Sequence, residues 1–255
     1  MGSIISVHSY RGGTGKSNVT ANLAWLMARE GKRVAVLDTD LQSPGVHMVL
    51  GFEQQRMTYS LSDFLFGKCD VEEAAYNLTR ELEIADGGSL HLLPSSMKVE
   101  AISRIISEGY DVGRLNDHFQ TLIDVLELDF LLLDTHPGLN RETMLSTSVS
   151  DLLLILLRPD TQDFHGTAVL LKVARALNVP RVFMLANKVA KSLRPDQIRT
   201  QVEDAFGCEV LGLLPLSDEM ATLGSRGLFS RTYPSHPISS ELRAVATRLV
   251  AEFGK

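Results

Sequence analysis

Apolar residues in this chain gather in short unbroken runs rather than alternating with polar ones. The runs occupy residues 4–9, 33–38, 90–94, 130–134, 152–157, 181–187 and 210–215. Each has strand length and is rich in Val, Ile and Leu, which suits strands buried on both faces of a parallel sheet joined by right-handed crossovers. Helical patterns fill most gaps. The stretch from Ser17 to Glu30 reads as the first helix, with Leu23, Trp25, Leu26 and Met27 among its apolar positions and Gly31 as its stop. Residues 60–80 and 98–127 read as helical insertions, and Asp86-Gly87-Gly88 as a turn before the third run. The expected fold is α/β: three layers, a mostly parallel sheet with helices on both faces.

Near the end of the chain, Leu242, Val245, Ala246, Leu249, Val250 and Phe253 form one apolar stripe at helical spacing. Such a stripe serves either a last helix docked on its own sheet or a membrane-surface anchor. Its polar side carries Arg243 and Arg248 but also Glu241 and Glu252, which favours docking over the basic face of an anchor. Repeats, low-complexity tracts and Pro/Gly-rich linkers are missing, so residues 1–255 are expected to form a single domain.

The chain has 255 residues, 44% hydrophobic and 22% charged, enough to bury the core of one large α/β domain and too apolar for disorder on a large scale. The first run begins almost at Met1, so secretion is not indicated. The densest apolar stretch, residues 152–157, is far short of the ~20 residues that span a bilayer. Cys69 and Cys208 stand apart from each other and from any His at ligand spacing, which argues against zinc or iron–sulfur and fits a reducing cytoplasm.

Net charge is −6 but divides unevenly: residues 1–157 hold 12 Lys/Arg against 21 Asp/Glu, residues 158–255 hold 13 against 10. Arg158, Lys172, Arg175, Arg181, Lys188, Lys191, Arg194 and Arg199 face only three acidic residues in their segment. They read either as a patch for a polyanion such as DNA or as solvated charges on separate faces.

The chemistry starts at Tyr10-Arg11-Gly12-Gly13-Thr14-Gly15-Lys16-Ser17, between the first run and the first helix. Glycines let successive main-chain N–H groups approach phosphate oxygens, and the helix N-terminus adds partial positive charge. Gly12, Gly13, Thr14 and Gly15 would cradle the phosphates, Lys16 would meet the β- and γ-phosphates, and the Ser17 hydroxyl a Mg²⁺. Tyr10 takes the place of the first glycine of the common G-x-x-x-x-G-K-[ST] pattern, so the loop is a variant of the P-loop NTPase type.

The second run ends in Asp38-Thr39-Asp40, at the sheet edge where ligands of open α/β folds sit. Asp40 is the candidate for positioning water, and Asp38 lies closer to Mg²⁺ through its water shell. The run 130–134 ends in Asp134, which would hold Mg²⁺ indirectly, and Gly138 follows with an amide for the γ-phosphate and freedom to change shape. His136 between them reads as a hydrogen-bonding or packing residue and is left out of the catalytic set. Asn187-Lys188-Val189-Ala190 lacks the carboxylate at 190 that guanine needs, so adenine is favoured, with Asn187 as a contact and Pro215 as an apolar wall.

Taken together, Arg11 to Ser17, Asp38-x-Asp40, Asp134-Thr-x-Pro-Gly138 and Asn187 resemble the deviant Walker A ATPases of the ParA/MinD group. The resemblance extends to Asn22-Leu23-Ala24, Leu61-Ser-Asp63-Phe-Leu65 and Leu92-Leu93-Pro94, nearly the whole chain. It implies a slow, partner-stimulated ATPase using ATP and Mg²⁺, whose homodimer closes in ATP and opens on hydrolysis to position DNA, division-site factors or another cargo. Implied partners are an unidentified cargo adaptor or stimulating protein and nonspecific DNA, with a cytoplasmic, nucleoid-associated location; a membrane surface is the less favoured alternative, and a nucleotide-binding scaffold with weak turnover the other.

The chain departs from the family pattern twice. Arg11 stands where a signature lysine reaches across the dimer to the partner's nucleotide; its planar fork differs from an ammonium, and it serves either as an arginine finger in trans or as a surface or loop-stabilising arginine. Asn18 replaces the usual hydroxyl residue near the α-phosphate, where its amide can also donate.

Overall fold

The computed structural model describes residues 2–85 and 87–254, with side chains except those of residues 141, 142, 145 and 146. Its strands are β1 (Ser3–His8), β2 (Arg33–Asp38), β3 (Tyr76–Asn77), β4 (Ser89–Leu93), β5 (Phe130–Asp134), β6 (Leu152–Leu157), β7 (Val182–Val189) and β8 (Val210–Pro215). They form one sheet in the order β3-β4-β2-β5-β1-β6-β7-β8. Every neighbouring pair is parallel except β3 and β4. The helices in the first half are α1 (Lys16–Arg29), α2 (Val46–Val49), α3 (Leu61–Leu65), α4 (Val99–Glu108) and α5 (Val112–Val125). Those in the second half are α6 (Arg141–Ser148), α7 (Thr161–Ala176), α8 (Pro195–Phe206), α9 (Asp218–Leu223), α10 (Phe229–Thr232) and α11 (Pro237–Phe253).

Successive residues of the central strands point to opposite layers, which is why their sequences show no polar alternation. Phe130 and Leu132 of β5 pack with Leu23 of α1 and Leu242 of α11. Leu131 and Leu133 pack on the other side with Leu115 and Phe119 of α5. Farther along the same side, Leu153 and Ile155 meet Leu170 of α7 and Val202 of α8. At ~1.5–3 kcal/mol for each large apolar side chain fully withdrawn from water, these two layers dominate the stability of the sheet.

The structure corrects the reading of residues 60–80 as helical. Ser60 and Asp63 form a reciprocal capping box that starts α3, but Gly67 takes φ 74° directly after it. The chain then turns through a short 3-10 segment, Glu72–Ala74, into β3. A two-residue strand is too short to leave a periodic signal. Residues 98–127 are helical as expected, split by Gly109 at φ 71° before Asp111 caps α5 by accepting from the Arg114 N–H. Asp86 of the expected turn lies outside the described residues; Gly87 beside it has φ 95°.

Leu242, Val245, Ala246 and Leu249 are fully buried in the core, with Val250 and Phe253 packed at its margin. The terminal stripe is thus spent on the chain's own α1 and β8 side of the sheet. Among the described residues, no helix is long and apolar enough to cross a membrane.

The basic residues of the second half do not share one face. Arg181 pairs with Glu252 at the amino end of β7, whereas Lys188, near its carboxyl end, donates to the Gly13 carbonyl. Arg158 pairs with Asp160, Arg175 donates to the Phe206 carbonyl and Arg199 to that of Val210.

Candidate functional site

The loop between β1 and α1 lies at the carboxyl edge of the sheet. Gly15 caps α1 with φ 94° and no side-chain cap occupies the first-turn amides, which leaves them for an anion. A β-carbon at Gly15 would lie 2.5 Å from Asn187 Nδ2. That amide donates to the Thr14 carbonyl at 2.7 Å, and Lys188 Nζ donates to the Gly13 carbonyl at 2.6 Å. The end of β7 therefore clamps the loop from outside. Residues Arg11 to Asn18 line an open cleft of about 270 Å³ together with Ser9, Asp40, Ser43 and Pro137.

Below the cleft, Lys16 Nζ donates to Asp134 Oδ1 at 2.7 Å with both side chains buried. The Thr20 hydroxyl reaches the same oxygen at 3.3 Å. Asp38 lies opposite Asp134 in the β2–β5 register, and its oxygens accept the N–H groups of Asp40 and Gly45, each at 3.1 Å. Burial, then the nearby Asp134 charge and, less strongly, Asp40, push the Asp38 carboxyl well above the usual range against the opposing pull of Lys16. Asp134 Oδ2 is buried without a hydrogen-bond partner. Two carboxylates over one ammonium, with one oxygen unsatisfied, fit a divalent cation held mostly by water and phosphate. Ser17, Asp38 and Asp134 are the residues that would hold Mg²⁺ here.

His8, buried at the end of β1, holds both ends of the loop after β5. Its Nδ1 lies 2.6 Å from Thr135 Oγ1 and its Nε2 3.0 Å from the Gly138 carbonyl oxygen. A carbonyl only accepts, so Nε2 carries the hydrogen. Burial, with the Lys16 charge second, lowers the imidazole pKa to about 3, so the ring is neutral. Gly138 donates its own N–H to the Ser9 carbonyl at 3.0 Å. The amide expected on the γ-phosphate is thus engaged within the chain, and it must leave Ser9 to serve that role.

Asp40 is nearly buried at the cleft wall. Its Oδ1 accepts from Ser43 N at 3.1 Å, Ser43 Oγ at 2.9 Å and His136 Nδ1 at 2.7 Å. Arg11 turns toward the start of α7, where Nη1 lies 3.5 Å from Asp160 Oδ1 and Nε 3.7 Å from Asp163 Oδ1. Tyr10 lies against Gly166 of that helix, where a β-carbon would come within 1.9 Å of the Tyr10 ring. Asn18 Oδ1 and Thr14 Oγ1 are buried without partners beside the cleft.

The expected base contacts lie at the carboxyl ends of β7 and β8. Asn187 Oδ1 accepts from Lys188 N at 2.8 Å, which leaves its second lone pair and the second Nδ2 hydrogen to offer a base. Pro215 pairs with Val189 at the end of β8 and lies outside the lining of the phosphate cleft. Sequence reasoning missed His8, Thr20, Asp160, Asp163 and Gly166. The one available signal was a histidine at the end of an otherwise apolar first strand.

The chain matches the profile of the CobQ/CobB/MinD/ParA nucleotide binding domain over residues 5–230. An ATP-binding protein of Methanocaldococcus jannaschii is 25% identical over 247 residues, 96% of this chain and 87% of that protein. The septum site-determining protein MinD of Bacillus subtilis is 24% identical over 258 residues, 99% of this chain and 90% of its own length. Among solved structures, MinD of Pyrococcus horikoshii complexed with Mg-ADP superposes with a TM-score of 0.82 at 22% identity, covering 100% of this chain and 99% of that one. The sheet order, the glycine loop and the paired carboxylates beneath it agree with the profile match, and the chain belongs to the CobQ/CobB/MinD/ParA nucleotide-binding family.

Proposed function

We propose that this chain is a Mg²⁺-dependent ATPase that works as a switch: ATP binding joins two copies, and hydrolysis releases them to position a cargo. The observation that carries the reading is the Lys16–Asp134–Asp38 cluster under a glycine loop, beside Asp40 whose Oδ2 makes no hydrogen bond among the described residues. Loop amides from Gly12 to Ser17 bind and neutralise phosphate oxygens, and Lys16 exchanges part of its pairing with Asp134 for the β- and γ-phosphates. Bound Mg²⁺ would offset charge on the transferred phosphoryl group. Asp40 Oδ2 accepts from the attacking water and fixes its line of approach.

Arg11 is held in cis by Asp160 and Asp163, and dimer formation requires it to leave them for the partner's phosphates. We assign the nucleotide as ATP because Ala190 gives guanine no carboxylate, and because relatives carry ATP-binding names. DNA is the proposed surface partner, met by Lys191 and Arg194, which are exposed together in the loop between β7 and α8 and form no ion pair among the described residues. Burial of the α11 stripe argues against membrane anchoring through that helix.

Mass in solution with ADP, ATP and a slowly hydrolysed analogue, combined with phosphate release, tests the switch. A dimer in ATP that reverts as phosphate appears supports it, and a mass indifferent to nucleotide sinks it. Retention on DNA in ATP that falls steeply with salt supports the DNA reading; no retention at low salt removes it.

A further inference from the structure

Asp40 and His136 come from different loops, one after β2 and one after β5, and meet at 2.7 Å. A carboxylate oxygen only accepts, so His136 Nδ1 carries the shared hydrogen. Ser43 adds its N–H and its hydroxyl to the same oxygen. Three donors on Oδ1 satisfy that atom and fix the rotation of the carboxylate, which directs Oδ2 as the remaining acceptor. The His136 ring is partly exposed and borders a small cavity of about 160 Å³ with Thr39, Tyr110 and Asn140. Its backbone belongs to the segment between Asp134 and Gly138, so a shift of Gly138 carries the imidazole with it.

We infer that His136 is a positioning residue: by donating from Nδ1 to Asp40 Oδ1 it sets the angle at which Asp40 Oδ2 receives the attacking water. The inference rests on the ATPase reading above. Its chemistry needs only a neutral imidazole donating one hydrogen bond, and no proton leaves the ring. It also gives the loop after β5 a direct mechanical hold on the water-orienting carboxylate of the loop after β2.

Steady-state ATP hydrolysis and calorimetric ATP binding would be measured on the full chain for wild type, His136→Ala, His136→Asn and Asp40→Ala. Histidine ¹⁵N spectra would report the His136 tautomer in wild type and Asp40→Ala. In His136→Ala, kcat should fall about tenfold or more while the Kd for ATP stays within about twofold. His136→Asn, whose side-chain N–H can replace the Nδ1 donor, should recover most of the loss. The Nδ1–H tautomer should dominate in wild type and lose that preference in Asp40→Ala. Full turnover in His136→Ala, no rescue in a folded His136→Asn, or an Nε2–H tautomer in wild type would each overturn the inference. A wild-type chain that never releases phosphate overturns the ATPase reading and this inference together. One that hydrolyses ATP through Asp40 yet ignores His136 overturns this inference alone.

Discussion

Lys16 and Arg33 stand at opposite ends of the same sheet, and each pairs with carboxylates. Lys16 meets Asp134 at the carboxyl edge with side-chain exposures of 7% and 0%. Arg33 meets Glu127 at the amino edge with exposures of 42% and 74%. Water screens the second pair and leaves it little net worth. The first pair has lost its hydration, lies beside a further buried carboxylate, and retains an unsatisfied oxygen. Its electrostatic cost is recovered only when something of opposite field enters the cleft. A basic side chain facing a carboxylate therefore gives ordinary surface at one edge and a binding site at the other, and burial makes the difference.

Lys16→Met tests this contrast most severely. It should destabilise the chain by roughly 3–5 kcal/mol, because Asp134 loses the buried cation paired with it, and abolish ATP uptake. Chemical denaturation and calorimetry read both effects. Asp40→Ala should instead preserve ATP binding and the ATP-bound dimer while lowering phosphate release about 100-fold; unchanged turnover would remove Asp40 from the mechanism. Gly166→Ala should cost about 1–3 kcal/mol, since its methyl would overlap the Tyr10 ring, and Tyr10→Ala in the same chain should return most of that loss in a thermal melt.

Titration also separates the edges. Unfolded His8 takes up a proton near pH 6.5, folded His8 only near about 3, so the unfolded chain holds more protons between those values. His8 therefore makes stability fall as pH drops through that window, by at most about 1.4 kcal/mol per pH unit. Urea titrations should show a shallower acid slope for His8→Gln than for wild type. Arg33→Ala, at the other edge, should change stability by less than about 0.5 kcal/mol and leave ATP binding unaltered. A larger effect would show that the amino edge contributes more than its exposure indicates.

Much of this architecture was legible in the sequence because parallel strands buried on both sides must be continuously apolar, as residues 130–134 and 152–157 are. The glycine loop was legible because its spacing is dictated by phosphate geometry. β3 was not, since its two residues are held by pairing with β4 and not by any pattern of their own. Nor were the contacts of His136 with Asp40 or Arg11 with Asp163, which join residues far apart in the chain. Such pairs depend on which loops the sheet order brings together. Asn187 shows the intermediate case: its proximity to the site was readable, but its attachment to Thr14 was not.

Tyr10 occupying the notch at Gly166 has an evolutionary corollary. Neither position is free to drift by itself: a bulkier residue on α7 would expel the ring, and a smaller residue at 10 would leave a void beside the phosphate loop. In an alignment of close homologues the two sites should covary as a matched set, large with glycine and small with a side chain, so that this departure from the usual glycine marks a lineage rather than an isolated substitution.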